Sequence, residues 1–291
     1  MTARGRTRGL TRRQRERLER AITIYIPLVL FIAVTLFPFY WMLITSLKTN
    51  QELISVRAAP LIVRNPTIMH YSYLLRETYF LRWAANSLIV TIVSTALSLA
   101  CGIMAGYALA RLHFRGVGTL ALAVFVTYLV PQTLLFLPLS NLISSFGLLN
   151  SLWSMMLTYP TLLIPFCTWM LMGYFRSIPR EIEECAMIDG ASRIQCLLRI
   201  VLPLAMPGVL SAGIFAFTLS WNEFIYALVF TSSTTIKTIP VGVTSELIKG
   251  DVFFWGSLMG GALLGSVPVA IIYAFFVENY VSGLTAGAVK G

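Results

Sequence analysis

The chain has 291 residues, 57% of them hydrophobic and only 12% charged, with a formal net charge of +10. A soluble domain carries about a quarter charged residues, so these proportions exclude an ordinary water-soluble globule and indicate an all-α membrane protein with several spans. The positive balance does not call for nucleic acid, because Lys and Arg gather in the cytoplasmic loops of such proteins and orient their helices.

Residues 1–20 hold eight arginines (Arg4, Arg6, Arg8, Arg12, Arg13, Arg15, Arg17 and Arg20) against Glu16 and Glu19. A basic segment before an apolar run has the outline of a signal peptide. The run from Ile22 to Leu47 is too long for a signal core, however, and ends without a small-residue cleavage site. It predicts an uncleaved first span, locally kinked at Pro27 and Pro38. Residues 1–21 are then a basic cytoplasmic tail, solvated or resting on anionic headgroups. Residues 48–83 form a polar and aromatic loop long enough for a small interfacial helix. Five more apolar segments follow at 84–110, 119–139, 151–175, 204–230 and 256–281, so residues 22–281 make a six-span domain. Gln132 beside Pro131, Tyr159 beside Pro160, and Pro165 are expected to mark broken or kinked helices. Residues 282–291 form a second cytoplasmic tail.

Orientation follows from Lys and Arg. Eight in the first tail, two in the 111–115 turn, four in 176–203 and Lys290 stand against five in 48–83 and two in 231–255. This places both termini inside, and Arg111 and Arg115 in their short turn weigh most. Cys101 and Cys167 fall in spans, Cys185 and Cys196 in the 176–203 segment, without a CxxC pair. They read as reduced packing residues, with no disulfide and no metal site.

The 177–203 segment reads as a helix-turn-helix lodged between spans four and five. Pro179 suits a first helical turn, and Glu181, Glu183 and Glu184 place negative charge near the positive end of the dipole. That helix can run to Asp189, where Gly190 can take the left-handed conformation that ends it. Ser192 with Gln195 matches a capping box for a second helix. Ile194, Leu197, Leu198, Val201 and Leu202 recur at helical spacing, and Pro203 falls at re-entry into the membrane. Three acids at the first turn argue against a hairpin that merely lies on a negative inner leaflet.

Glu184-Cys185-Ala186, Gly190 four residues on, and Ile200, Leu202 and Pro203 beyond resemble the EAA loop of ABC importer permeases, with small Cys185 in place of the first of the family's two alanines. Asn86-Ser87-Leu88, Trp221-Asn222-Glu223-Phe224, Pro240-Val241-Gly242 and the terminal Gly283–291 segment extend the resemblance to the shorter permease subunit of maltose-type carbohydrate importers. The resemblance implies a permease subunit of the bacterial or archaeal cytoplasmic membrane. It implies that Glu184, Cys185, Ala186, Asp189, Gly190, Ile200, Leu202 and Pro203 belong to the surface that meets a cytoplasmic ATPase. It further implies a homologous second permease, two ATPase copies and an extracytoplasmic solute-binding protein as partners, and a C-terminal tail that reaches the ATPase interface. The chain has no Gly-x4-Gly-Lys-Ser/Thr run, so ATP and Mg²⁺ are expected on the partner and no cofactor or catalytic residue on this chain.

Glu223 is an acid placed inside a span, where an ionisable group usually faces a bundle interior or water-filled cavity. Trp221 and Asn222 offer an aromatic face and an amide suited to a sugar. The other role open to Asn222 and Glu223 is bonding to neighbouring helices. Asn86 either caps the second span or touches solute, capping being the simpler role. The competing function is a stand-alone secondary transporter, but such carriers usually show internal repeats and midplane ion sites; neither is visible, and a free-standing carrier has little use for the hairpin. An intramembrane hydrolase is excluded by placing His70 and His113 in loops, away from any Ser–His pair in the bilayer.

Overall fold

The computed structural model describes residues 20–55, 59–250 and 252–286, with side chains described up to residue 277 apart from that of Ala21. Most of the basic first tail, and the expected reach of the last residues to a partner, lie outside the described residues.

A π-helical turn, Ala21–Tyr25, leads into α1 (Ile26–Leu47). Pro27 follows the π turn within continuously helical backbone, where it removes one ladder N–H, and Pro38 lies inside the α-helix. None of the most hydrophobic stretch of α1 is buried within the chain. Such a surface is unfavourable in water and stable against lipid or another apolar helix. The following loop contains α2 (Asn50–Ile54) and α3 (Met69–Arg76). Then come α4 (Phe80–Arg111), α5 (Val117–Leu129), α6 (Gln132–Ser145), α7 (Leu152–Ser177) and α8 (Arg180–Ile188). Helix α9 (Arg193–Cys196) continues through a π turn, Leu197–Val201, into Leu202–Leu204. The remaining helices are α10 (Met206–Trp221), α11 (Ile225–Phe230), α12 (Ile239–Leu247) and α13 (Trp255–Ala286). Between the last two, β1 (Ile248–Lys249) pairs antiparallel with β2 (Val252–Phe253), Ile248 opposite Phe253.

The centre of the bundle is the α4–α7 pair. A Cβ added at Gly102 would sit 2.6 Å from Cys167 Cβ, and one at Gly106 3.1 Å from the Met172 nitrogen. Glycines four apart let two membrane helices approach at backbone distance, where dispersion and small-residue packing replace the hydrophobic drive that lipid removes. Helix α10 lies against α4, α7 and α13. Trp221 Nε1–H donates to the Gly265 carbonyl of α13 at 3.0 Å, and the ring stacks on Phe217.

Several expectations change. Among the described residues four helices are long and apolar enough to cross a membrane, and two further candidates are bent pairs. The segment expected at 119–139 breaks between α5 and α6 by 94°. Pro131 cannot donate to a helical ladder, and it holds Val130 extended at ψ 124°. The segment expected at 204–230 bends by 80° at Ala205 and opens again at 222–224. By contrast α7 runs unbroken through Pro160 and Pro165. The 231–255 connection contains α12, started by Pro240 at its first turn.

Candidate coupling hairpin and solute path

The hairpin forms as its local signals require. Helix α8 stops at Ile188, Gly190 adopts φ +89°, and two bonds close the end: Gly190 N–H to the Met187 carbonyl (3.1 Å) and Ala191 N–H to the Ala186 carbonyl (2.9 Å). This is the Schellman pattern, which needs a left-handed residue at that position. The capping box is complete. Gln195 N–H donates to Ser192 Oγ and Ser192 N–H donates to Gln195 Oε1 at 2.7 Å.

Glu184, Cys185, Asp189, Gly190 and Pro203 are exposed, and Ala186, Ile200 and Leu202 are half-buried. Asp189, Gly190 and Ile200 border a shallow cleft of about 280 Å³ together with Gln195 and Arg199. The expected apolar stripe divides. Leu197 and Val201 are buried, whereas Ile194 is 69% and Leu198 56% exposed. The π turn at 197–201 changes the period from that of an α-helix, so residues spaced for one face are turned onto two. Ile188, at 85% exposure, adds a further apolar projection beside Glu184 and Asp189.

Spacing alone does not distinguish the glutamates of α8 from one another, and it puts Arg111 in a short turn. The structure separates them. Glu183 is buried in an ion pair with Arg111, accepts from Tyr107 Oη at 2.9 Å, and its carbonyl faces Cys196 Sγ. Arg111 also donates to the Ile178 carbonyl, while Arg176 and Arg180 donate to the Leu109 and Ala110 carbonyls. These last two are carbonyls that the end of α4 leaves without helical partners. His113 does lie in a loop, where Nε2 meets Arg180.

Away from the hairpin, two helix breaks meet. A cleft of about 340 Å³ is lined by Gln132, at the start of α6, by Tyr159 of α7, and by Thr218, Ser220, Asn222 and Glu223 around the end of α10. Tyr226 Oη bridges the breaks by donating to the Gln132 carbonyl. Glu223 is held locally: its two oxygens accept the Tyr226 and Ala227 N–H groups, at 2.8 and 3.1 Å. The carboxylate therefore caps α11, satisfying donors that the broken helix would otherwise leave bare. Asn222 is exposed and its Nδ2 donates to the Thr218 carbonyl. Trp221 is only 4% exposed and points toward α13, so the three consecutive residues do not share one cavity.

Asn86 is not a cap. Helix α4 starts at Phe80, six residues earlier, because the chain turns helical at the Thr78–Phe80 bond. Asn86 is buried and its Nδ2 donates to the Thr235 and Lys237 carbonyls, while Trp83 Nε1–H reaches the Thr234 carbonyl and Ser87 Oγ accepts from Ile239 N–H. These side chains pin the α11–α12 connection to α4. His70 is likewise not in a loop. It lies in α3, buried, with Nε2–H donating to the Lys48 carbonyl and Nδ1 accepting from Ser257. A carbonyl only accepts, so the neutral ring carries its proton on Nε2. Among the described residues no group of His, Cys, Asp and Glu is arranged to hold a metal, and all four cysteines are free.

Four long apolar helices among the described residues, or up to six crossings if each bent pair is one span, with a charged hairpin between them, are the features of an integral membrane protein. The chain belongs to the family of binding-protein-dependent transport system inner membrane components, which it matches over residues 98–285. It is 40% identical over 257 residues to the sulfoquinovosyl glycerol transport system permease protein SmoH of Agrobacterium fabrum, covering 88% of this chain and 89% of that one. It is 32% identical to the trehalose/maltose transport system permease protein MalG of Thermococcus litoralis, covering 95% and 99%. In fold it is similar to a chain of a bacterial ABC transporter involved in the import of the acidic polysaccharide alginate, with TM-score 0.76, 20% identity, and 93% and 98% covered. The chain is therefore an ABC importer permease.

Proposed function

We propose that this permease carries a sugar or oligosaccharide inward across a bacterial or archaeal cytoplasmic membrane. It works beside a homologous second permease, above two copies of a cytoplasmic ATPase and below an extracytoplasmic solute-binding protein. Both termini and the 177–203 hairpin lie on the cytoplasmic side. ATP and Mg²⁺ sit on the ATPase, and this chain contributes no catalytic residue. Closure of the ATPases on ATP moves the hairpin, with Glu184, Cys185, Ala186, Asp189, Gly190, Ile200, Leu202 and Pro203 at or beside the contact, and the pore opens outward.

One observation carries the solute path: the breaks at 130–131 and 222–224 meet at a single cleft in which polar side chains stand among apolar ones such as Leu162, Leu163 and Phe224. Irregular backbone at membrane depth persists only where it is buried in protein or lines a cavity. The cleft lies within the usual small-molecule range of about 300–1,000 Å³, and amide, hydroxyl and carboxylate groups suit a hydroxyl-rich solute. The substrate class is supported by the carbohydrate named for two relatives. Purification in mild detergent with mass spectrometry of what accompanies the chain tests the reading. A second permease and an ATPase are the expected companions. Recovery of this chain alone, moving solute down an ion gradient, overturns it in favour of a secondary carrier.

A further inference from the structure

We propose that Glu183, Arg111 and Tyr107 form a buried clamp that makes the hairpin and the neighbouring end of α4 one rigid body, so that hairpin displacement reaches α4 undiminished. The proposal rests on the reading of 177–203 as the ATPase contact. The carboxylate and guanidinium are 6% and 4% exposed. Neither is supplied by residues near the other in sequence: Tyr107 and Glu183 stand 76 positions apart. Without the clamp, the hairpin would hang from α7 through the extended residues Ile178 and Pro179, a joint that can absorb motion.

The clamp closes that joint from both sides. Arg111 holds the Ile178 carbonyl itself, and Arg176 and Arg180, which flank the joint, hold the last carbonyls of α4. Buried charges that lose a partner are strongly disfavoured, so the pair cannot slip apart as an exposed one does. The second hairpin helix is fastened through Cys196 to the Glu183 carbonyl, and its Leu197 and Val201 pack into the same core as Tyr107 and Phe175. These are positioning residues: they touch neither solute nor nucleotide.

The test uses the co-purified complex with spin labels at Met104→Cys on α4 and Ile194→Cys on the hairpin, Cys101 and Cys185 being changed to Ser. Pulsed electron resonance then reads the label separation with and without a non-hydrolysable ATP analogue. The expected result is one narrow separation, unchanged by nucleotide, in the parent, and a separation that splits on nucleotide addition in Glu183→Gln. Tyr107→Phe, which loses only one hydroxyl, should broaden it partly and serves where Glu183→Gln does not assemble. A parent separation that shifts with nucleotide, or variants indistinguishable from the parent, overturns the clamp. Failure of the underlying reading looks different: exposed Glu184→Lys would then leave the ATPase attached, whereas the reading expects its loss.

Discussion

Gly190→Val isolates the geometry of the hairpin from its packing. Nothing lies within 4 Å of a Cβ added at Gly190, so the new side chain meets no steric obstacle in this subunit. The cost is conformational. At φ +89° an L-residue sits in the left-handed region, at about 1–2 kcal/mol, and β-branching stiffens the residue further. A local penalty of about 1–3 kcal/mol shifts the hairpin's folded-to-open ratio by roughly fivefold to more than a hundredfold, at about 1.4 kcal/mol per decade. Gly190→Asn, which tolerates this region, should stay within a few-fold of the parent. Hydrogen exchange of amides 185–195 reads the opening, and ATP hydrolysed per solute transported reads coupling. Valine should raise both and asparagine neither. Equal behaviour of the two variants would refute the reasoning, because it would mean the Schellman turn is not what sets the hairpin.

Adding a methyl at Gly102 places it 2.6 Å from Cys167 Cβ, against nearest contacts of 3.1 Å or more at Gly106. Gly102→Ala should therefore lower the thermal midpoint of the detergent-solubilised protein more than Gly106→Ala, with overpacking costs of about 1–3 kcal/mol; the reverse order contradicts the packing. Glu223→Ala strips two N–H groups of their acceptor and should cost about 1–2 kcal/mol as a lost cap, with Glu223→Gln intermediate. An unchanged melt with a raised transport KM would instead make Glu223 a solute contact. Ser192→Ala removes half of the capping box and should raise hydrogen exchange across 193–201 by about fivefold, for a cost near 1 kcal/mol.

Burial holds the His70 imidazole below its usual value, opposed in part by its bond to the Lys48 carbonyl. A depressed histidine favours the folded state above the unfolded value of about 6.5. That contribution fades as pH falls below it, because the unfolded chain binds the proton first. The melting point should thus drop between about pH 6.5 and 5 by more in the parent than in His70→Gln. Glu246 behaves in the carboxylate manner: its bond to Lys237 lowers it, so the anchoring of α12 it provides is present at neutral pH and is lost on acidification through its folded-state value.

The sequence alone determined what depends on neighbours along the chain. The apolar runs dictate spans because lipid leaves a backbone no partners but its own. Gly190, Ser192 and Gln195 dictate the hairpin because each satisfies helix-end groups within five residues of itself. The break at Pro131 was legible for the same reason, and Gly102 with Gly106 stood in the sequence as an unread signal of close helix approach. Tertiary structure decided the rest. Glu183 and Glu184 are adjacent acids on one helix, and only the arrival of Arg111 and Tyr107 from α4 separates a buried pair from an exposed surface. Asn86 looked like a cap until the α11–α12 connection, about 150 residues away, supplied its two carbonyls. Glu223 took its role from the break beside it, which a continuous apolar run conceals. Long-range pairing is set by which helices pack together, and a single sequence records the apolar faces that drive packing but not the partner each face meets.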